Sequence, residues 1–562
     1  MSLRAGRVRA AVVGASALAL LVAGCGDSPG GDGGSTAADT LIVPGQNGDY
    51  VRNFNPYSPN AIEGSGTIFE SLFYFNLAGR SQEPTPLLGT DYAWNEDGTE
   101  LSITLRDGVS WSDGEEFTAD DVKFTFDLLA SGGVPNTTGF SGTTEVVDPT
   151  HVLVSFEGPA YMDGPQLLGK IWIVPEHLWS AIEDPGTDPV NEPVGTGPYT
   201  LTEFKPQSFT LTANPGYWGG EPALTHVRYD ALSGNQATAD ALSAGQVDVF
   251  SGPVPDIAHV EEDYPGYQAI TVPMNQTVLD TCANPDLGCE GPQTDPAVRR
   301  AVYYAMDREQ LNALAFQDTG GEVSPGFALP ERDAALVSGE LEDPTAPMSA
   351  DQDRVDEILT GAGYARDGDG FYARDGERLS LTVKVVVGWN DYITALDVLT
   401  EQLAAAGIEL TVAQVSANEM LDARARGDFE LLIDALYPGP AADPYYLYSY
   451  FFGSENTAEV GESASTNYSR YSVPEVDAAI EALRRTDPAD TEARRAHYDA
   501  IQARIEQDMP YIPLLTAGTT TEFHAEKFGG WPSAEDMYAF PATWSHPDQA
   551  ILYTHLRPAH KD

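Results

Sequence analysis

The groups in this sequence best able to do chemistry are 85 carboxylates, nine histidines and three cysteines among 562 residues. Two carboxylates flanking a glycosidic bond suffice for hydrolysis. With 85 acids in the chain, such pairs arise by chance, so their abundance is no catalytic signal. The histidines stand singly. No His-Glu-x-x-His or phosphate-cradling Gly-Lys-Ser/Thr loop occurs, and no Gly-x-Ser-x-Gly elbow lies in the body after residue 39. Asp367-Gly-Asp-Gly370 begins like a calcium loop, but Phe371 occupies the next ligand position, so the segment reads as a turn. Cys282 and Cys289 are separated by turn formers with no His nearby; in an exported chain this spacing predicts a small disulfide rather than a zinc site. The expectation is a protein that is not an enzyme, with no cofactor and no metal.

The third cysteine sits elsewhere. Arg4, Arg7 and Arg9 precede an apolar run from Ala10 to Ala23, too short to span a bilayer comfortably. The run ends in Leu21-Val22-Ala23-Gly24-Cys25, which resembles a bacterial lipobox whose cysteine becomes the lipidated first residue. Residues 1–24 are therefore expected to be a lipoprotein signal peptide. Residues 25–39 hold Gly, Ser, Asp, Pro and Thr without a large apolar side chain and read as a flexible tether. The expected location is the extracytoplasmic face of the cell membrane. The formal net charge of −55 excludes nucleic-acid binding, which rests on Lys and Arg neutralising phosphates. Loss of residues 1–24 takes three Arg and no acid, moving −55 to −58. An acidic solvated surface suits a soluble monomer.

The body after residue 39 is too long for one simple core, and at least two lobes are expected. Strand-like and helix-like segments alternate, giving a mixed α and β class. Leu101-Ser-Ile-Thr-Leu105 alternates as a half-buried strand does. Thr118-Ala-Asp-Asp121 has capping spacing before a helix carrying Val122, Phe126 and Leu129. Asp295-Pro296 opens another helix, and Asp375-Gly376 marks a hairpin turn. Leu396, Leu399 and Leu403 share a helix ending near Gly407, followed by a strand from Ile408. Ser472-Val-Pro-Glu475 reads as a capping box, and a last long helix stops before Pro510.

Four stretches occur in one order along the chain: Asp107-Gly-Val-Ser-Trp-Ser-Asp-Gly-Glu-Glu-Phe-Thr-Ala-Asp-Asp-Val122; Val194-Gly-Thr-Gly-Pro-Tyr199 with Asn214-Pro-Gly-Tyr-Trp-Gly-Gly-Glu-Pro222; Asp295-Pro-Ala-Val-Arg-Arg-Ala-Val-Tyr-Tyr-Ala-Met-Asp-Arg308; and Asn467-Tyr-Ser-Arg-Tyr-Ser-Val-Pro-Glu-Val-Asp477 with Met509-Pro-Tyr-Ile-Pro-Leu514. Together they resemble the family-5 extracellular solute-binding proteins of ABC importers, the oligopeptide-binding type. The resemblance implies a bilobal periplasmic-binding-protein-like II fold with a two-strand hinge. Lobe I would comprise 40–75, 190–272 and 513–562, with 76–189 inserted as a subdomain and 273–512 forming lobe II. Gly195 and Gly197 would flank a tight turn between lobes, Tyr217 and Trp218 would pack a lobe core, and Arg299 and Asp307 would pair or cap on one helix.

The same resemblance implies a ligand enclosed between the lobes and a membrane permease as partner. Peptide binders of this type use an Asp near an Asp-Pro step to hold the ligand's amino terminus. Here Asp443-Pro444 is present, the usual Trp and Asp are not, and Asp434 is the candidate substitute, with Tyr437, Tyr445 and Tyr446 beside it. Ser233-Gly-Asn-Gln236, Gly245-Gln-Val-Asp248 and Val387-Gly-Trp-Asn-Asp-Tyr392 look like segments of cello-oligosaccharide binders of the family. Trp389 and Asn390 are thus candidates for the cleft, with core packing the alternative for Trp389. Asn53, Asn55 and Tyr57, after the first strand, are candidates for the cleft or for a turn. Oligopeptide is the favoured ligand, oligosaccharide the alternative, and a secreted hydrolase the remote one.

Overall fold

Two strands, Tyr267–Thr281 and Tyr511–His524, organise the molecule. At 15 and 14 residues they are longer than one lobe needs, roughly 50 Å at about 3.3 Å per residue. They lie side by side in a six-stranded sheet. One end pairs with Val249–Ser251 in lobe I, the other with Leu431–Leu436 in lobe II. Register shifts at Pro273/Asn275 and Thr277/Val278 mark the crossover between lobes. Pro273 lacks an N–H to donate, and bulges re-aim a strand at such points. The computed structural model describes residues 39–559 apart from 46–48, 59, 80–82, 233–234, 253 and 255–256. Cys25, the signal peptide and most of the tether lie outside the described residues, as do Ser233 and Gly234.

Lobe I carries a four-stranded sheet in which Thr40–Gly45 pairs parallel to His226–Ala231, followed by Ser208–Ala213 and Tyr199–Lys205. A second four-stranded sheet, antiparallel throughout, holds Gly89–Trp94, Glu100–Leu105, His151–Ser155 and Thr143–Asp148. The helix Ala119–Ala130 covers it, closed by the expected capping box: the Asp121 carboxylate accepts from Thr118 N at 2.9 Å. Asp121 also accepts from Glu176 N at 2.9 Å and from Trp111 Nε1 at 3.4 Å. The Trp-Asp-Gly…Asp-Asp-Val stretch therefore serves this local framework.

In lobe II, Ser380–Val386 runs parallel to both Glu409–Val415 and Leu431–Leu436. Both faces of this sheet are covered. Leu381, Val383, Leu431 and Ile433 bury on one face and Leu432 and Leu436 on the other. The near-continuous apolar run Leu431-Leu-Ile433 is what double burial requires. The hairpin forms at Asp375-Gly376, whose φ values of 55° and 89° are both left-handed. The helix Asn390–Ala406 ends at Gly407, φ 84°.

Some expectations change. Ser472 does not cap: the helix Pro474–Arg485 starts behind Val473 with no side-chain cap, because Pro474 supplies a first turn that needs one fewer acceptor. Arg299 and Asp307 do not pair. Arg299 donates to the carbonyls of Gln293, Asp508 and Met509, and Asp307 caps the next helix, Arg308–Ala315, accepting from Gln310 N at 2.9 Å. Gly195 and Gly197 permit close backbone approach: a Cβ at Gly195 would lie 1.9 Å from the Ile68 carbonyl oxygen. Trp218 packs against the lobe I core, and with Tyr217 it also donates to the buried Glu70 carboxylate at 3.0–3.2 Å.

Arg308 fastens the outgoing crossover strand to lobe II. It is fully buried and donates to the carbonyls of Pro513, Leu514, Pro347 and Tyr303 at 2.8–3.2 Å. Burial lowers its guanidinium to about 10.

Candidate functional site: the cleft at the crossover

Ligands of open α/β sheets bind outside the carboxyl ends of the strands. In lobe II, Leu436 pairs with Gln276, one residue from the crossover, so the carboxyl ends of the parallel strands open towards lobe I. The segments after Val386, Val415 and Leu436 therefore rim the cleft. Two cavities open on the crossover strands, and Thr516 contributes to both.

The smaller cavity, about 300 Å³, draws on both lobes. Ser251, Gly252 and Trp544 come from lobe I; Phe316, Asp391 and Tyr392 come from lobe II; Thr516–Thr520 and Thr277 form the floor. Its walls are aromatic and its floor is hydroxyl-rich. Tyr392 lies 5.7 Å from Trp389 and 6.3 Å from Phe316, ring centre to ring centre, edge to face in both cases. The larger cavity, about 560 Å³, is lined by Leu77, Val272, Met274, Leu329 and Met537, with Glu322, Glu331, Glu535 and Arg332. Two large apolar side chains left exposed stand at this cleft: Trp544, which lines it, at 49%, and Trp389, beside Tyr392, at 43%. Exposed aromatics gathered at a concavity mark a binding surface.

The sequence candidates separate by location. Trp389 and Asn390 begin the helix beside Asp391 and Tyr392, at the cleft. Asp434 and Tyr437 stand at the end of the Leu431–Leu436 strand. Asp434 is ion-paired to Arg424, whose guanidinium lies 4.6 Å from the Tyr468 ring centre. Tyr437 packs on Phe451 and Tyr450 at 5.1 and 5.7 Å. Tyr445 and Tyr446 are buried on the helix Tyr445–Phe452, and the Tyr446 hydroxyl donates to Met162 O at 2.9 Å. Asp443 is held by Arg494 at 2.7 Å and by Tyr498 at 2.6 Å. Asn53, Asn55 and Tyr57 line neither crossover cavity. Asn55 donates to the carbonyls of Pro185 and Asp188, Asn53 to Ser58, and Tyr57 to Trp172 O, so these polar groups are used within a turn and its neighbours. Asp367 and Asp369 are paired with Arg378, as suits a turn. Cys282 and Cys289 are disulfide-bonded.

Trp544, Phe316 and Tyr392 were not singled out from sequence. Tyr392 carried a signal, following Trp389 and Asn390 in one quoted segment. Trp544 carried only its size among small turn residues.

Behind the cleft lies an unusual carboxyl. Asp280, on the incoming crossover strand, is fully buried, and neither oxygen has a hydrogen-bond partner. Burial raises it well above the carboxylate range, and neighbouring Asp434 raises it further, against the pull of Arg424. A carboxyl whose pKa is raised on folding binds its proton more tightly in the folded state, so its stabilising contribution is full below the unfolded pKa near 4 and declines as pH rises above it. Asp280→Asn removes that decline. Urea unfolding is expected to show the variant gaining stability over the parent between pH 4.5 and pH 8; an equal difference at both pH values would contradict this.

Residues 83–458, well over half of the chain, match the family described as bacterial extracellular solute-binding proteins, family 5 Middle. The chain belongs to that family. This solute-binding protein is 28% identical to Protein XP55 of Streptomyces lividans over 506 residues, 86% of this chain and 84% of that one. It is 26% identical to the glutathione-binding protein GsiB of Escherichia coli strain K12 over 533 residues, 90% and 94% of the two chains. Its fold matches the periplasmic oligopeptide-binding protein of an oligopeptide ABC transporter from Thermotoga maritima, with TM-score 0.82, 24% identity and coverage of 93% and 100%. A second structure of that Thermotoga protein, holding mannohexaose, matches with TM-score 0.74, 24% identity and coverage of 93% and 99%. The chain thus has the bilobal periplasmic-binding-protein-like II fold, as a member of that solute-binding family.

Proposed function

We propose that this protein is the lipid-anchored, extracytoplasmic substrate-binding component of an ABC importer, capturing oligopeptides between two hinged lobes and presenting them, as a monomer, to the membrane permease. Lobe I is assigned 40–75, 190–272 and 513–562, the inserted subdomain 76–189, and lobe II 273–512. The observation that carries the reading is the cleft whose walls come from both lobes and whose floor is the crossover strands. A ligand touching both lobes favours the closed arrangement by its differential affinity, and about 5.5 kcal/mol moves such an equilibrium from 1:99 to 99:1. Among the described residues, no helix is long and apolar enough to cross a membrane, and no group of three or more His, Cys, Asp or Glu could hold a metal ion.

Oligosaccharide is the second reading, and two observations favour it. Asp434 and Asp443 are already ion-paired with arginines, so amino-terminus capture by either would require breaking a partly buried pair. The aromatic rim of Trp389, Tyr392 and Trp544 also suits sugar faces. Mass spectrometry of the ligand released by denaturing the purified protein separates the two. Peptide masses are expected; a hexose ladder would overturn the peptide reading in favour of sugar.

The anchor is tested separately. Cys25→Ser is expected to move the protein from the membrane fraction to the soluble fraction. Continued membrane retention would contradict lipidation at Cys25.

A further inference from the structure

The larger cavity on the crossover strands, about 560 Å³, carries three exposed carboxylates in its lining: Glu322, Glu331 and Glu535. Local structure sets each of them there. Gly321 exchanges backbone hydrogen bonds with Thr516 at 2.8 and 3.0 Å, which seats Glu322 beside the outgoing crossover strand. Glu331 stands in the turn 329–333, where Asp333 N donates to Leu329 O at 2.8 Å and Leu329 N donates to the Asp333 carboxylate at 3.1 Å. Glu535 lies in the turn 533–536, in which Ser533 and Asp536 exchange backbone bonds at 3.2 Å. The number of acids is what so acidic a chain supplies by chance; their setting is not. Among the described residues, none of the three carboxylates has an ion pair with Lys, Arg or His.

The one base in the lining is already neutralised. Arg332 donates to Asp333 through Nε at 2.7 Å and through Nη2 at 2.8 Å, and Asp333 is itself buried. The unbalanced charge of the cavity is therefore that of the three glutamates. Clefts with low-dielectric walls focus such a field. The rest of the wall includes Leu77, Val272, Met274, Leu329 and Met537. Lys and Arg side chains lay an apolar stem along surface of this kind and carry the charge at the tip. A second observation points to an occupant. The Arg332 side chain is only 9% exposed, and its remaining nitrogen, Nη1, has no acceptor. An unpartnered buried donor in a native structure calls for an explanation, and a carbonyl oxygen of a bound peptide supplies the missing acceptor.

We propose that the larger cavity selects peptides with a basic side chain, the cationic tip facing Glu322, Glu331 and Glu535 and a peptide carbonyl accepting from Arg332; this rests on the peptide reading of the cleft. The protein is then a binder of cationic rather than acidic or neutral peptides.

The test is competitive capture from an equimolar pentapeptide library by the protein refolded from denaturant free of ligand, read by mass spectrometry of the bound fraction. Peptides with Lys or Arg are expected to be enriched over those with Asp or Glu by about tenfold or more, one charge attracted and the other repelled. The triple variant Glu322→Gln, Glu331→Gln and Glu535→Gln, at exposed positions, should reduce that enrichment about fivefold, the scale of an exposed charge contact. Capture of uncharged peptides should not change. The rest of the surface charge is untouched in this variant, so the fall reports these three carboxylates. Capture without charge bias, enrichment of acidic peptides, or the same bias in the triple variant would overturn the selection while leaving peptide binding in place. Capture of no peptide at all would overturn the peptide reading and the selection with it.

Discussion

Trp544→Ala is expected to weaken binding of the released ligand by at least tenfold while leaving thermal stability close to that of the parent. The side chain is half exposed, so little of its surface is buried on folding. Its packing partner is Phe540, at 5.7 Å. Its remaining face looks into the smaller crossover cavity, where a ligand would desolvate it. Aromatic anchors of this kind typically contribute 2 kcal/mol or more to recognition, and 1.4 kcal/mol is tenfold in affinity. Trp389→Ala, on the opposite lobe, should act in the same direction. If the two rings hold one ligand, the double variant should retain almost none of it through purification. Unchanged dissociation constants in both single variants, measured by calorimetry with the ligand identified by mass spectrometry, would contradict this placement.

Arg308→Ala is expected to be the most destabilising of the single changes considered. A fully buried guanidinium donates to four carbonyls, two of them on the strand that leaves lobe II for the crossover. Its ring neighbour Tyr303 lies 4.5 Å from the guanidinium carbon. Truncation removes the guanidinium donors from those carbonyls and opens a cavity the size of an arginine side chain. Truncating a large buried side chain costs about 3–5 kcal/mol, and loss of hydrogen bonds from a charged donor adds to it. Lysine is not an adequate replacement, because one ammonium cannot reach four acceptors set by a planar fork. Urea unfolding should show a large fall in midpoint for Arg308→Ala and an intermediate one for Arg308→Lys. A change below about 1 kcal/mol for alanine would contradict the clamp.

Much of the fold was legible because its boundaries are written in local chemistry. Thr118 with Asp121, Pro296, Asp375-Gly376 and Gly407 each place a turn or a helix end through one side chain or one φ angle. The crossover strands were not legible as such. Tyr267–Thr281 mixes buried and exposed positions without a steady alternation, because bulges reset its faces and two lobes bury different sides. The cleft suffered for the same reason. Ser251, Phe316, Tyr392, Thr516 and Trp544 are distant in sequence, and only the crossover brings them together. Trp389 and Asn390 could be read because a loop between a strand and a helix has a predictable position at the sheet's carboxyl edge. Asn53 and Asn55 could not be assigned, since an amide able to meet a ligand is equally able to close a turn or tie it to its neighbour, as both do here.

Small-angle X-ray scattering, with and without the released ligand, tests most directly the claim that the two lobes close on a solute at the crossover. The radius of gyration of the parent is expected to fall on saturation with ligand, and that of Trp544→Ala to stay unchanged at the same concentration. A parent whose scattering is identical with and without saturating ligand would contradict capture by lobe closure.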